Sequence, residues 1–185
     1  MTDAELRGTT LVGVTLDGTT AGETWSVTGR EVLTAEWLDR DRAMLAQFTP
    51  RPWKFYSQYG SRLTTEGGRS ALFVHPDTRL WFKVPAGPRV LRVSCAVQAA
   101  AYAGAAGDRS DGVEFFVEHE RADGTRERLG SLMLDPARRP ADAGYHELTV
   151  KVDYPEITNL VLSTGPGAAQ SYTRDWALFG PLTIE

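Results

Sequence analysis

Three histidines and one cysteine have the widest chemical reach in this 185-residue sequence, and none stands in a catalytic pattern. His75 precedes Pro76 at a turn, His119 lies between Glu118 and Glu120, and His146 opens an alternating run. A nucleophile needs a base within hydrogen-bond reach and a third group to orient that base. No Gly-x-Ser-x-Gly or His-Glu-x-x-His sequence supplies the set. The histidines are therefore expected in surface or structural roles. Cys95 sits in the apolar run Val93-Ser94-Cys95-Ala96-Val97. A reactive thiolate wants an electropositive, partly exposed setting, so this thiol reads as buried and inert. With one cysteine, no intrachain disulfide can form.

Carboxylates and metal ligands give equally little. Glu114, Glu118 and Glu120 share one strand face. A pair of acids at the right separation can hydrolyse a glycosidic bond, but alternating acids on an outward face are more simply solvated charge. Asp108 and Asp111 could join backbone carbonyls around a structural calcium, because a hard cation accepts mixed oxygen ligands. Their competing role is turn chemistry, in which Asp bonds its own backbone. No Cys/His pair has zinc spacing, and no glycine pattern matches a phosphate loop or dinucleotide fingerprint.

Aromatic residues are the better clue. The segment Trp53-Lys54-Phe55-Tyr56-Ser57-Gln58-Tyr59-Gly60 is dense in them. A sugar offers an apolar C–H face ringed by hydroxyls, so its site wants an aromatic platform beside polar donors and acceptors. Tyr56, Gln58, Tyr59, Trp81, Tyr102, Asp108, Tyr172 and Arg174 are residues of the right types. The competing role for each ring is to cap the core, and Trp176, opening the last apolar run, is the clearest core candidate.

The elements that must hold these residues read as strands. Turn signals recur at Asp17-Gly18, Gly67-Gly68, His75-Pro76-Asp77, Pro85-Ala86-Gly87-Pro88, Asp123-Gly124 and Gly165-Pro166-Gly167. Short apolar runs at such spacing indicate an all-β sandwich or barrel. Leu80, Phe82 and Val84 alternate with Arg79, Trp81 and Lys83. Leu91, Val93, Cys95 and Val97 repeat the pattern, as do Val113, Phe115 and Val117, and Leu148, Val150 and Val152. Period-two alternation turns one face to a core. Glu118 to Arg128 reads as a hairpin with Asp123-Gly124 at its tip. Residues Thr34 to Leu45 read as a short helix or crossover capped by Thr34. The small-residue run Ala99–Gly107 reads as a loop or bulged connection, and the first thirty residues as strand-like or irregular.

With 42% hydrophobic residues, the chain can bury one sizeable core and is expected to form a single domain over 1–185. The net charge of -4 and a pI of about 5.5 argue against a nucleic-acid footprint. Arg138-Arg139 reads as solvated loop charge. The segment Met1–Arg7 lacks the basic and apolar regions of a secretory signal. No stretch approaches the roughly 18 apolar residues of a membrane span. The chain is expected to be soluble, with its compartment open between the cytoplasm and a fragment of an exported protein.

Two motifs carry a resemblance. Asp111-Gly112-Val113-Glu114-Phe115-Phe116-Val117 and Gly165-Pro166-Gly167, followed by Arg174-Asp175-Trp176-Ala177-Leu178-Phe179-Gly180, resemble the galactose-binding-like jelly rolls. The resemblance is closest to the novel putative carbohydrate-binding modules of bacterial proteins. It covers roughly residues 69–185 and leaves residues 1–45 as an extension or decoration. It implies two antiparallel sheets, binding at loops such as Ala99–Ser110 and Gly165–Arg174 or on a sheet face, and no catalysis. It also implies an attached or associated glycan-handling domain. Two alternatives stand beside it. A protein-contact or assembly domain would show an exposed apolar patch. A jelly-roll hydrolase or lyase would show a cleft with convergent titratable groups.

Overall fold

The structure is a computed structural model that describes residues 10–11, 15–16, 19–20, 25–26, 44–105 and 108–185. It forms two compact units, Met1–Ala43 and Met44–Glu185. In the first, β1 (Thr10–Leu11) pairs antiparallel with β4 (Trp25–Ser26), and β2 (Thr15–Leu16) with β3 (Thr19–Thr20). The Asp17-Gly18 turn and residues 34–43 of the expected helix lie outside the described residues. Met44 and Leu45 are helical and buried.

The second unit is the all-β sandwich that the alternation predicts. One sheet orders β13 (His146–Tyr154), β10 (Gly87–Val97), β15 (Ala177–Ile184), β8 (Arg69–Val74) and β7 (Ser61–Glu66), all antiparallel. The short β5 (Phe48–Thr49) adds parallel to β15. The other sheet orders β12 (Arg126–Leu134), β11 (Val113–Glu120), β14 (Thr158–Pro166), β9 (Thr78–Val84) and β6 (Lys54–Ser57). From β8 onward the chain crosses between sheets at every connection except the β11–β12 hairpin.

Register explains which side chains enter the core. Phe115 pairs with Thr164 and Leu132, Val117 with Leu162, and Leu162 with Leu80, so these point inward together. On the facing sheet, Val93 pairs with Leu148 and Leu182, and Cys95 with Phe179. Phe115 meets Phe179 edge-on across the layers at 5.5 Å. A ring of that size, fully buried, stabilises the fold by about 1.5–3 kcal/mol relative to exposure. Where β10 meets β15, Gly180 and Pro181 intervene between the residues paired with Val93 and Cys95. Pro181 has no N–H for the ladder, so a bulge there sacrifices no donor.

A smaller apolar cluster lies on the other side of the first sheet. It joins Ala71, Phe73, Ala96 and Leu178, with Tyr145 and Trp176 packed on them. The predicted hairpin is present, with Gly124 at φ +82° in its tip. The run after β10 differs from the expected loop, because Ala99–Tyr102 forms one helical turn, α1. Three consecutive alanines favour helix, and the turn closes with the Ala103 N–H on the Ala99 carbonyl. Among the described residues, no helix is long and apolar enough to cross a membrane.

Candidate functional site

The strand registers bring five connections to one end of the sandwich: β6–β7, β8–β9, β10–β11, β12–β13 and β14–β15. Buried threonines pin the β8–β9 turn. Thr78 donates through its hydroxyl to the His75 carbonyl at 2.6 Å, and its N–H reaches Thr164 Oγ1 at 3.2 Å. The β10–β11 and β14–β15 loops are tied by the two resemblance motifs themselves. Ser110 donates to Asp175 Oδ1 at 2.6 Å, and Gly112 N–H donates to Ser110 Oγ at 3.0 Å. Gly167 N–H reaches Asp175 Oδ2 at 3.4 Å, and Ala169 N–H donates to Asp111 Oδ2. The loops are therefore held by their own polar groups, with Asp175 fully buried between them.

On this scaffold the rings form an unbroken row. Tyr59, 57% exposed, meets His75 edge-on at 5.9 Å. His75 meets Phe73 at 5.1 Å, and Phe73 meets Trp176 at 6.3 Å. The Arg174 guanidinium stands 5.5 Å from the Trp176 ring and makes a two-pronged pair with Asp108, at 2.8 and 2.7 Å. Arg62 covers Phe73 at 3.6 Å. Arg174 has φ +57°, a left-handed backbone that the folded loop imposes on a non-glycine residue. Gln58 donates to the Tyr59 hydroxyl at 3.2 Å. Tyr172, 45% exposed, lies in the loop that carries Arg174.

The eight residues singled out from the sequence thus separate. Gln58, Tyr59, Asp108, Tyr172 and Arg174 belong to the loop end. Tyr102, at the end of α1, packs partly buried against the core. Tyr56 and Trp81 project from the outer face of the second sheet, where Lys54 pairs with Trp81 and Tyr56 with Arg79. Trp81 is only 3% exposed and donates its indole N–H to both Glu120 oxygens, at 3.0 and 3.1 Å. It is a packed ring, without an open platform. Sequence reading assigned His75 to a turn and Trp176 to the core, and overlooked Phe73 and Arg62. Trp176 is half-buried and touches both apolar clusters. The one legible signal for the row is that Phe73 and His75 alternate along the strand leading into the turn.

Titratable groups explain what chemistry these sites hold. Burial, then the Arg62 guanidinium, holds His75 below the usual imidazole range, so it is neutral near pH 7. Burial pushes the Cys95 thiol well up, in keeping with an inert core residue. Burial pushes Glu120 up, but hydrogen bonds from Trp81 and Arg126 and the charges of Arg126 and Lys54 outweigh it and leave the carboxyl low. Glu114 pairs with Arg128 and Glu120 with Arg126, both at 2.7 Å, and Glu118 accepts from Ser163. For calcium, both Asp108 oxygens are engaged by Arg174, while Asp111 Oδ1 is buried without a partner. Among the described residues, no cluster of three or more His, Cys, Asp or Glu side chains could hold a metal ion.

No family model and no curated protein matches the sequence. Among solved structures, the chain is similar to the CBM22-1 xylan-binding domain of Paenibacillus barcinonensis Xyn10C. The identity is 12% and the TM-score 0.45, over 72% of this chain and 85% of that one. It is similar to a family 6 carbohydrate-binding module at 8% identity and TM-score 0.43, over 71% and 86% of the two chains. It is also similar to CBM51 from Clostridium perfringens GH95, solved with methyl-galactose, at 13% identity and TM-score 0.42, over 70% and 91%. All three are carbohydrate-binding modules.

Proposed function

We propose that the sandwich binds carbohydrate without transforming it, through the loop-end rim of Tyr59, His75, Trp176, Arg174 and Tyr172. The exposed Tyr59 and Tyr172 and the Arg174–Asp108 pair at this end carry the reading, with the buried Phe73 only backing His75 and Trp176 from beneath. Exposed tyrosines can take the C–H face of a sugar, while Arg174, Asp108 and Gln58 supply donors and acceptors for its hydroxyls. Loops tied by internal hydrogen bonds keep the rim in place before a ligand arrives, which lowers the entropy cost of binding.

A binding role fits the carboxylates better than hydrolysis. Hydrolysis needs two carboxyls flanking the scissile bond, one of them held protonated near neutral pH. Among the described residues, the one carboxyl with a strongly raised pKa, Asp175, is fully buried on Ser110. Glu114 and Glu120 are held by arginines. The exposed large apolar side chains of the described residues are Tyr56, Tyr59, Leu63, Ile157 and Tyr172. Ile157 stands at the end opposite the rim, Tyr56 on the outer face of the second sheet and Leu63 on the edge strand of the first, which spreads them over different faces. By resemblance, an attached or associated glycan-handling domain is the expected partner.

A glycan array in calcium-containing buffer tests the proposal, followed by titration of each hit. Tyr59→Ala and Tyr172→Ala are exposed positions and should leave the melting temperature unchanged. Each should weaken binding by about three- to tenfold, the range of a lost aromatic contact. An empty array, or affinities unmoved in both variants, would reject the rim.

A further inference from the structure

The outer face of the second sheet sorts its charges by strand. On the β11–β12 side, Glu114 and Glu120 are matched to Arg128 and Arg126, and Glu118 accepts from Ser163. On the β6–β9 side, Lys54, Arg79 and Lys83 make no ion pair among the described residues, although the Lys54 charge also acts on Glu120. Their partners are rings: Lys54 over Trp81 at 4.5 Å, Arg79 over Tyr56 at 5.9 Å and Lys83 over Trp53 at 5.0 Å. Register places all three cations outward. Lys54 sits beside Trp81, Tyr56 beside Arg79, and Lys83 beside Asn159. Lys83 and Tyr56 are exposed, and Lys54 and Arg79 are partly so. A positive strip has thus formed on a chain whose net charge is -4.

A second feature lies at the same place. Trp53 Nε1, a donor, and Asn159 Oδ1, an acceptor, are buried there without partners. Burying unsatisfied polar atoms is costly, and native structures leave few of them. The Lys83 ammonium lies over the Trp53 ring, and Asn159 is its cross-strand neighbour. Both atoms are of kinds that ligand hydroxyl groups can satisfy, because a hydroxyl both donates and accepts.

We infer that the β6–β9 strip is a second binding surface, for an anionic polysaccharide. Its carboxylate or sulfate groups meet Lys54, Arg79 and Lys83, and a ring face lies on Tyr56. Arg79 and Lys83 stand four residues apart on β9, on the order of 13 Å at the usual strand rise, which suits a chain with repeating anions. Unsatisfied hydroxyl partners and a stacking tyrosine favour a saccharide. A nucleic-acid footprint would instead show a broadly basic balance. The strip lies on the outer face of the second sheet and meets the loop end only where Tyr56 and Arg79 approach Ser57 and Thr78.

The test titrates the whole chain against polygalacturonate, dextran sulfate, uncharged galactan and single-stranded poly-dT, at ~20 and ~300 mM salt. Binding to a polyanionic saccharide should weaken by about tenfold at the higher salt, because exposed charges are screened. It should also weaken by about tenfold in the Lys54→Gln, Arg79→Gln, Lys83→Gln triple variant. Lys83→Gln alone, a safer change to the fold, should weaken it by about twofold to threefold. Binding of polygalacturonate alone identifies carboxylate as the anion, and binding of dextran sulfate alone identifies sulfate. Tyr172→Ala at the rim should leave this binding unchanged. No binding to either polyanion, equal binding by both cation variants, or tighter binding of poly-dT overturns the proposal. The rim reading survives any of these results, because its glycans and variants are different.

Discussion

Gly167→Ala should lower the melting temperature by roughly 6–12 °C, the equivalent of about 3 kcal/mol in a domain of this size. A Cβ at this position would lie 2.4 Å from the Asp111 carbonyl oxygen, 2.5 Å from its carbon and 2.6 Å from the Gly112 oxygen. These are backbone atoms, so no side chain can rotate away to make room. The facing segment also cannot shift cheaply. Gly112 is held at φ +104°, its N–H donates to Ser110 Oγ, and its Cα faces β12, where an added Cβ would meet Leu134 O at 2.7 Å. Asp111 is fixed in turn by Ala169 N–H. Overpacking with no route of relief falls at the severe end of core substitutions.

Gly144→Ala is the matched control. Its φ is +85°, but nothing lies within 4 Å of the added atom. Only the left-handed backbone opposes alanine there, at about 1 kcal/mol. Thermal melts of the two variants separate steric closure from backbone strain. Equal, small shifts would show that the β10–β11 and β14–β15 loops are not packed as closely as these distances state.

The same two loops show what the sequence can reveal. The alternation through Leu80–Val84, Leu91–Val97, Val113–Val117 and Leu148–Val152 made the inward faces legible, because a strand's period of two is written directly in residue order. The Asp123-Gly124 tip was legible for a similar reason, since a positive φ selects glycine. The rim was only partly legible. Residue type nominated Tyr59, Tyr172, Arg174 and Asp108, but not their separation from Tyr56 and Trp81. That separation depends on which connections share an end and which strand face turns outward, both set by long-range pairing. Trp81 illustrates the gap. Its outward register was correct, yet Lys54, Arg126 and Glu120 close around it. The ring row was not legible because Phe73 and Trp176 are about a hundred residues apart in sequence and meet only across the β8–β15 pairing.

Asp175→Asn should reverse sign with pH: less stable than the wild type near pH 4.5, and more stable near pH 8. Burial raises the Asp175 carboxyl from 3.8 to about 7; the Ser110 hydrogen bond opposes this, the Asp111 charge reinforces it, and the Gly167 N–H again opposes it. A raised folded-state value means that the folded protein holds this proton more tightly than the unfolded chain does. The resulting stabilisation is complete below about pH 4 and is lost as pH rises through about 7. Its size is on the order of 2–4 kcal/mol. Asparagine carries no charge at any of these pH values and retains an oxygen to accept from Ser110. Its amide, however, must face the Gly167 N–H, donor against donor, which accounts for the loss at low pH. Glu120, Asp123 and Glu147 are shifted down and act in the opposite direction, with stability lost as pH falls. The informative quantity is therefore the difference between variant and wild type, in which those groups cancel. Denaturant unfolding at pH 4.5, 6 and 8 reads it directly, and parallel curves at all three would mean that Asp175 is ionised in the folded protein throughout. Because Asp175 follows Arg174 directly and precedes Trp176, the proton that steadies the fold also steadies the backbone that presents the rim.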